Sequence, residues 1–337
     1  MTESTARRSL PAAGPVLEPR PELGGGRATS AFALPGDASS GLPAGPGTTR
    51  IGPGTFTWGA RTYVMGILNI TPDSFSGDGL LAAPATAPGG AAAPVTVERA
   101  VELAVAMADA GADLLDIGGE STRPGHAVVT ETEEIARIVP VIEAVRAALP
   151  DLPISVDTTK PLVAAAALDA GADLVNDVWG VADDDSLARL AAERRVPIVL
   201  MHNRGEARYT NLLAEVIGDL ERAIERALRA GVAWERIIVD PGFGFGKTAE
   251  HNLALLRELP SLALLGRPVL LGTSRKSTLG RILDLPADQR LEATLATTAL
   301  AIAAGVDMVR VHDVRENVRV ARTADAVVRG TWPAAED

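Results

Sequence analysis

The sequence predicts an α/β protein built as a single (β/α)8 TIM barrel, with an N-terminal β-hairpin and a disordered N-terminal extension. Three observations predict it. Over residues 64–329, short β-branched apolar runs alternate with longer amphipathic stretches, the pattern of βα units in a parallel sheet. Eight such runs begin near Val64, Ala112, Ile154, Leu174, Ile198, Ile237, Val269 and Met308, and a helical stretch follows each. Three helix-to-strand junctions repeat one phrase: Asp109-Ala-Gly-Ala-Asp-Leu-Leu, Asp169-Ala-Gly-Ala-Asp-Leu-Val and Ala303-Ala-Gly-Val-Asp-Met-Val. The glycine suits the left-handed position after a helix, and the apolar run after it opens a buried strand. Eight βα units are what a TIM barrel needs. A doubly wound open sheet is the competing architecture, but it usually has fewer strands and a topological switch point.

Residues 1–50 are rich in Pro, Gly, Ala and Ser with no period of 2 or 3.6, which reads as a disordered extension outside the core. The folded domain is expected over residues 51–332. A hairpin is expected at its start, with Thr55-Phe56-Thr57-Trp58 turning through Gly59-Ala60 into Arg61-Thr62-Tyr63. A second Ala/Pro-rich stretch, residues 80–94, reads as a long surface loop. The chain has 337 residues, 47% of them hydrophobic and 22% charged, a balance ordinary for a globular enzyme. Its net charge of -11 argues against a nucleic-acid partner, which requires a basic face. There is no Cys, so disulfides, thiolate metal sites and Cys nucleophiles are excluded. No apolar run reaches the ~18 residues of a membrane helix, and residues 1–11 lack the apolar core of a signal peptide. A cytoplasmic location with no membrane partner is the expectation.

In such barrels the active site lies at the C-terminal ends of the strands, and the polar residues collect there. Strand 1 ends in Asn69, and strand 2 runs into Gly118-Gly-Glu-Ser-Thr-Arg-Pro-Gly125. The next four strands end at Asp157, Asn176-Asp177, His202 and Asp240. Strand 7 leads into Thr273-Ser-Arg-Lys-Ser277, and strand 8 delivers Arg310 and His312. A single polar residue at a strand end is usually a cap or turn former; eight on one face of a barrel are not scattered caps. Asp157, Asn176, Asp240 and Lys276 suit a flat heterocycle, because a carboxylate accepts two parallel N–H donors and Asn and Lys read the remaining edge. Thr122, Arg123, Arg310 and His312 make an anion site, since Arg presents a planar fork to phosphate oxygens. Lys276 and Ser277 open a helix whose free N–H groups also favour an anion.

Other signals are discounted. The Gly242-Phe-Gly-Phe-Gly-Lys-Thr248 run ends like a P-loop, but Pro241 occupies the required first glycine position. None of His126, His202, His251 and His312 lies in an H-E-x-x-H array, so zinc is not expected. His202 and His251 read as structural.

Val64-Met-Gly-Ile-Leu-Asn-Ile-Thr-Pro-Asp-Ser-Phe-Ser76 resembles the first signature of the dihydropteroate synthase family, and Asp116-Ile-Gly-Gly-Glu-Ser-Thr-Arg-Pro-Gly125 the second. Ile154-Ser-Val-Asp-Thr-Thr-Lys-Pro161, Asn176-Asp177, Asp240-Pro-Gly-Phe-Gly-Phe-Gly-Lys247, Ser274-Arg-Lys-Ser277 and Arg310-Val-His-Asp-Val314 resemble its later blocks, in order. The resemblance implies condensation of 6-hydroxymethyl-7,8-dihydropterin pyrophosphate with p-aminobenzoate in folate biosynthesis. It implies Asn69 as the protein ligand of Mg²⁺, with Thr122, Arg310 and His312 on the pyrophosphate and Arg123 covering it. Asp157, Asn176, Asp240 and Lys276 would bind the pterin with Met201 nearby, and Phe245, Arg275 and Ser277 the p-aminobenzoate. On the same basis Arg123, Lys276, Arg310 and His312 are the expected catalytic residues, and a homodimer is the expected assembly. The family's reaction is thought to pass through a cation-like pterin, so no strong general base is required. The first loop departs from the family where Ser76 is followed by Gly77-Asp-Gly-Leu80, and Asn203 stands where many members carry an apolar residue. A corrinoid methyltransferase pterin-binding domain and a catalytically silent pterin-binding paralogue are the alternatives. The first lacks the Ser-Arg-Lys and Arg-Val-His blocks.

Overall fold

The computed structural model describes residues 47–70, 96–120, 129–180 and 184–331. Two antiparallel strands come first, β1 (Thr48–Ile51) and β2 (Gly54–Thr57). Eight parallel strands follow: β3 (Tyr63–Asn69), β4 (Leu114–Gly118), β5 (Ile154–Asp157), β6 (Leu174–Asp177), β7 (Ile198–Met201), β8 (Ile237–Asp240), β9 (Leu270–Leu271) and β10 (Met308–Val311). Their spatial order is β8-β7-β6-β5-β4-β3-β10-β9. A parallel bridge from Val239 to Val269 brings the two ends of the sheet together, so the sheet is a nearly closed barrel. The strands start within two residues of where the apolar runs predict them.

The helices between the strands are α1 (Val97–Asp109), α2 (Glu131–Ala148), α3 (Pro161–Asp169), α4 (Ser186–Arg194), α5 (Leu212–Arg229), α6 (Ala249–Arg257), the pair α7 (Ser277–Leu283) and α8 (Leu291–Ala303), and finally α9 (Val314–Val328). Helix α5 shows why they pack as they do. Val216, Leu220, Ala223, Ile224 and Ala227 recur at helical spacing and are its buried residues, a single apolar stripe against the sheet. The repeated junction phrase works as read: Gly111, Gly171 and Gly305 all hold φ near +100° (97°, 112° and 90°) directly before β4, β6 and β10.

The hairpin lies earlier than the sequence suggests. Its strands are Thr48–Ile51 and Gly54–Thr57, in register Thr49 with Phe56. The turn is Gly52-Pro53, and Tyr63 opens the first barrel strand opposite Met308. The first three residues of β1 therefore fall inside the stretch read as a disordered extension. Tyr63 carries an aromatic residue at a lumen position of a long barrel strand, and that pairing outcompetes a second hairpin arm. Residues 1–46 and 80–94 lie outside the described residues.

Alternation along each barrel strand sorts side chains into two cores. One parity, including Leu115, Ile117, Val156, Val175, Leu200, Val239 and Val309, faces the helices. The other parity fills the lumen, with Met65, Leu114, Leu174, Val199, Ile238, Leu270 and Met308 in its lower part. The hairpin plugs this lower end with Ile51, Phe56 and Trp58. The ring centroids of Phe56 and Tyr63 lie 4.5 Å apart, and those of Trp58 and Tyr63 5.4 Å. Trp58 Nε1 donates to Thr49 Oγ1 at 2.8 Å, so the plug has no unpaired indole. Because the bottom is closed by apolar rings, the polar lumen residues all sit at the top.

Phe56 is 3% exposed in this plug. Phe56→Ala is expected to lower the free energy of unfolding by about 3–5 kcal/mol through loss of buried area and a residual cavity; urea denaturation followed by far-UV circular dichroism measures it.

Candidate active site

The lumen parity that is apolar at the bottom turns polar one layer up. Two residues beyond Leu114 comes Asp116, beyond Leu174 comes Asn176, beyond Ile238 comes Asp240 and beyond Met308 comes Arg310. Register sets Asp116 opposite Ser155, Asp157 opposite Asn176, and Met201 opposite Asp240. Asp116 is fully buried and gathers three donors. Ser155 Oγ donates to Asp116 Oδ1 at 2.5 Å, while Asn176 Nδ2 at 3.1 Å and Arg310 Nε at 2.5 Å both donate to Asp116 Oδ2. A second nitrogen of Arg310, Nη2, donates to Asp157 Oδ2 at 2.6 Å. Arg310 thus bridges two carboxylates. The other oxygen, Asp157 Oδ1, is buried and meets no donor among the described residues.

Above this layer the loops add the rest. Thr273, Ser274, Arg275 and Lys276 connect β9 to α7, with Lys276 as the N-cap and Ser277 as the first residue of the helix. The Lys276 ammonium donates to the carbonyl of Phe243 and lies 4.5 Å from the centroid of the Phe245 ring. His312 Nδ1 is 2.9 Å from Ser274 Oγ. Arg275 holds a left-handed backbone, φ 57°, and its guanidinium is tied to Asp313, with Nε 3.0 Å from Oδ2 and Nη2 2.5 Å from Oδ1. A cavity of about 340 Å³ opens here, lined among others by Asn69, Asp157, Phe245, Ser277, Arg310 and His312.

Burying so many charges changes their basicity. Burial pushes the Asp157 carboxyl up to about 7; Arg310 and Lys276 oppose this, and the neighbouring Asp116 and Glu134 add to it. Burial also raises Asp240, against the pull of Lys276, the Gly242 N–H and Lys247. Lys276 is lowered to about 8, again by burial, with Arg310 pushing the same way and Asp240 and Asp157 resisting. Arg310 moves upward despite its burial, because Asp116, Asp157 and Asp240 surround it. It is a permanent cation.

The structure brings together ten of the residues singled out from sequence, each at the top of the barrel: Asn69, Asp157, Asn176, Asp240, Phe245, Arg275, Lys276, Ser277, Arg310 and His312. Met201 is there too, at the lumen end of β7 and 3% exposed. Thr122 and Arg123 lie outside the described residues. Two details differ from the grouping by chemistry. Arg310 reaches the carboxylates of the heterocycle pocket as well as the anion side, and the Arg275 guanidinium is committed to Asp313. Asp116 is a site residue that the strand-end pattern passes over, since it lies two residues inside β4. The signal was available: Asp116 shares lumen parity with Leu114, so it cannot point to the helices. His202 bonds Asp219 and Lys247 through its two ring nitrogens. His251 belongs to the capping box of α6 with Thr248.

Asn69 offers one neutral oxygen of the hard type that Mg²⁺ prefers. Among the described residues no three His, Asp or Glu converge to hold a cation outright. Asn69 would hold such an ion only together with oxygen ligands from outside the described residues.

Residues 65–312 match the family described as pterin binding enzyme. The chain is 48% identical over 281 residues to a dihydropteroate synthase of Clostridium beijerinckii, covering 83% of this chain and 99% of the relative. It is 47% identical over 276 residues to the Bacillus subtilis dihydropteroate synthase, covering 82% and 92%. A crystal structure of dihydropteroate synthase from Clostridium difficile in the presence of pteroic acid superposes with a TM-score of 0.75 at 45% identity, covering 81% of this chain and 99% of that one. The enzyme of Xanthomonas albilineans with 4-aminobenzoic acid gives 0.73 at 42% identity, covering 83% and 96%.

Asp116 has no access to water and its removal strands three donors. Asp116→Ala is expected to cost about 3 kcal/mol of stability, the range for breaking a buried ion pair from one side. Urea unfolding measures it, and a loss no larger than that of a surface Asp→Ala control would contradict the role given to this carboxylate.

Proposed function

The chain belongs to the pterin binding enzymes and, among them, to the dihydropteroate synthases, and from that premise we propose that it condenses 6-hydroxymethyl-7,8-dihydropterin pyrophosphate with p-aminobenzoate. The products are 7,8-dihydropteroate and pyrophosphate. The observation that carries this reading is the buried Oδ1 of Asp157, which lies beside Asn176 without a donor of its own. An N–H of a flat heterocycle supplies that donor, and a buried acceptor left unmet costs roughly 1–3 kcal/mol. A ligand that brings no N–H there is discriminated against by that amount.

On this reading Asp157, Asn176, Asp240 and Lys276 hold the pterin edge, with Met201 packed beside it. Arg310 and His312, joined by Thr122 and Arg123, receive the pyrophosphate. Arg310 is suited to this because it stays charged while anchored at Asp116. Phe245, Arg275 and Ser277 border the p-aminobenzoate. Arg275 serves through its backbone and its stem, since Asp313 occupies the guanidinium. Asn69 would hold Mg²⁺, which would supply positive charge to the leaving pyrophosphate. The bond between the pterin methylene carbon and the pyrophosphate oxygen breaks with both electrons leaving on oxygen. The aniline nitrogen forms the new bond to that carbon and releases a proton to water. The protein's part is positioning and fixed positive charge, so Arg123, Lys276, Arg310 and His312 are the groups that accelerate the step.

A cytoplasmic homodimer belongs to the same proposal. Absence of cysteine suits a reducing compartment. The outer side of α8 exposes Ala296, Leu300 and Ala303 beside α9, and Leu300, Val327 of α9 and Ile282 of α7 are 64%, 76% and 56% exposed. Ala296, Leu300 and Ala303 recur at helical spacing, so α8 presents an exposed apolar face on which a second copy can dock.

The deciding assay is pyrophosphate release coupled to dihydropteroate formation, with p-aminobenzoate omitted as the control. Turnover of both substrates is expected; binding of pterin pyrophosphate with no product would instead make the chain a silent paralogue. Lys276→Ala is expected to raise the KM for pterin pyrophosphate by at least about tenfold with unchanged circular dichroism. Lys276 is an ammonium below its pKa of about 8 and a neutral amine above it. Affinity for pterin pyrophosphate should therefore fall as pH rises through about 8, and that fall should be missing in Lys276→Ala. Light scattering should give twice the 34.9 kDa chain mass, and Leu300→Glu should shift it to the monomer.

A further inference from the structure

The run Gly242-Phe-Gly-Phe-Gly-Lys247 imitates the end of a phosphate-binding loop, and the structure puts its lysine to a different use. The loop is pressed between two neighbours. Gly242, Gly244 and Gly246 have φ of 70°, 85° and 55°. A Cβ on Gly242 would stand 1.8 Å from the carbonyl oxygen of His202, and one on Gly246 would stand 2.3 Å from that of Arg204. On the opposite side, a Cβ on Gly244 would meet Lys276 Cδ at 2.9 Å. Only glycine lets the chain lie this close to both walls.

Two ammonium groups then divide the loop's carbonyls between them. Lys276, on the mouth side, takes the carbonyl of Phe243. Lys247 folds back under the loop and donates to the carbonyls of Gly242 at 3.0 Å and Phe245 at 3.1 Å. Its third donor meets His202 Nδ1 at 2.8 Å. Burial lowers His202 to about 4, with Lys247 acting in the same direction, so the ring is neutral and Nδ1 is free to accept. The other ring nitrogen, Nε2, then carries the proton and faces Asp219 Oδ2 at 3.1 Å. Burial lowers Lys247 to about 7 against the pull of Asp240; in the ammonium form it holds below that value, its three N–H donors match the three acceptors around the nitrogen. Other backbone groups of the loop are tied as well. Gly242 N–H goes to Asp240 Oδ1, Gly244 N–H to Asn252 Oδ1, and the Gly246 carbonyl accepts from the Tyr209 hydroxyl at 2.8 Å.

We propose that Lys247 is a positioning residue for the second substrate: by holding the Gly242 and Phe245 carbonyls from beneath, it fixes the Phe245 ring in the cavity wall where p-aminobenzoate docks. The proposal rests on the dihydropteroate synthase reading and deepens it. Lys247 does not line the cavity; it acts through the loop. Its reach is selective. The carbonyl of Phe243 and the pterin-side ammonium of Lys276 stay connected when Lys247 is lost, whereas the Phe245 carbonyl loses the donor that turns it inward. The charged and titratable groups facing Lys247 are Asp240 of β8, His202 and Arg204 after β7, Asp219 of α5 and Lys276 at α7.

Lys247→Met keeps the length and apolar stem of the side chain and removes its donors. Steady-state kinetics of the full chain, varying each substrate in turn, should show the KM for p-aminobenzoate raised by about tenfold or more, with the KM for pterin pyrophosphate and kcat changed by less than about twofold. A merely structural lysine would move both KM values together or neither, and either pattern overturns the proposal. If Lys247→Met does not fold by circular dichroism, His202→Ala decides. It withdraws one of the three acceptors, and a rise in the p-aminobenzoate KM alone supports the proposal, while any other pattern sinks it. Failure of the underlying functional reading is separately visible, because the unsubstituted protein would then form no dihydropteroate.

Discussion

The contact on which the top of the barrel depends is the one between Asp116 and Arg310. A carboxylate buried in the lumen costs several kcal/mol unless its lone pairs are met, and Asp116 meets them with Ser155, Asn176 and Arg310. Each of these partners comes from a different strand, so the carboxylate sets the relative height of β4, β5, β6 and β10 at their functional ends. The same contact aims Arg310 at Asp157. What reads from outside as a cavity with scattered charges is a chain of bonds with Asp116 at its root.

That chain explains how three carboxylates and two cations share a dry space. Asp157 and Asp240 are each raised by burial, and Lys276 is lowered by it. Neither sign is left to dominate, because Arg310 and Lys276 stand among the carboxylates and draw each back toward its charged form. Charges arranged in this way are fixed before any ligand arrives, so the protein groups need little reorganisation when pyrophosphate departs. Preorganised charge is worth far more in such a space than in water.

Much of this was legible in the sequence, for reasons that can be named. Short β-branched apolar runs locate the strands, and the junction phrase with glycine before β4, β6 and β10 marks where those three begin. Strand ends then give the site, since Asn69, Asp157, Asn176, Asp240 and Arg310 all fall at the closing residues of their strands. The hairpin was misplaced because Thr55–Tyr63 alternates well enough to suit a hairpin arm; what decides is that Tyr63 pairs with Met308, some 245 residues away, and local pattern carries no such information. Asp116 escaped for a related reason. It precedes the end of its strand by two residues and looks like one more member of a motif, until closure of the barrel forces it inward. The commitment of Arg275 to Asp313 is a contact between loops and has no periodicity to betray it.

The glycine loop shows where sequence reading stops and geometry begins. As a string, Gly242–Lys247 is half of a phosphate-binding signature, and only Pro241 argues against it. In space its lysine points away from the cavity and under its own backbone, while the neighbouring Lys276, which belongs to no such signature, faces the cavity. The two ammonium groups hold different carbonyls of the same short segment. A lysine that must lend its charge to a substrate cannot also be the sole anchor of the wall beside it, because each binding event would loosen that wall. Dividing the two duties between Lys276 and Lys247 removes the conflict. It also accounts for a loop that carries three glycines and still has the carbonyls of Gly242, Phe243 and Phe245 held by ammonium groups.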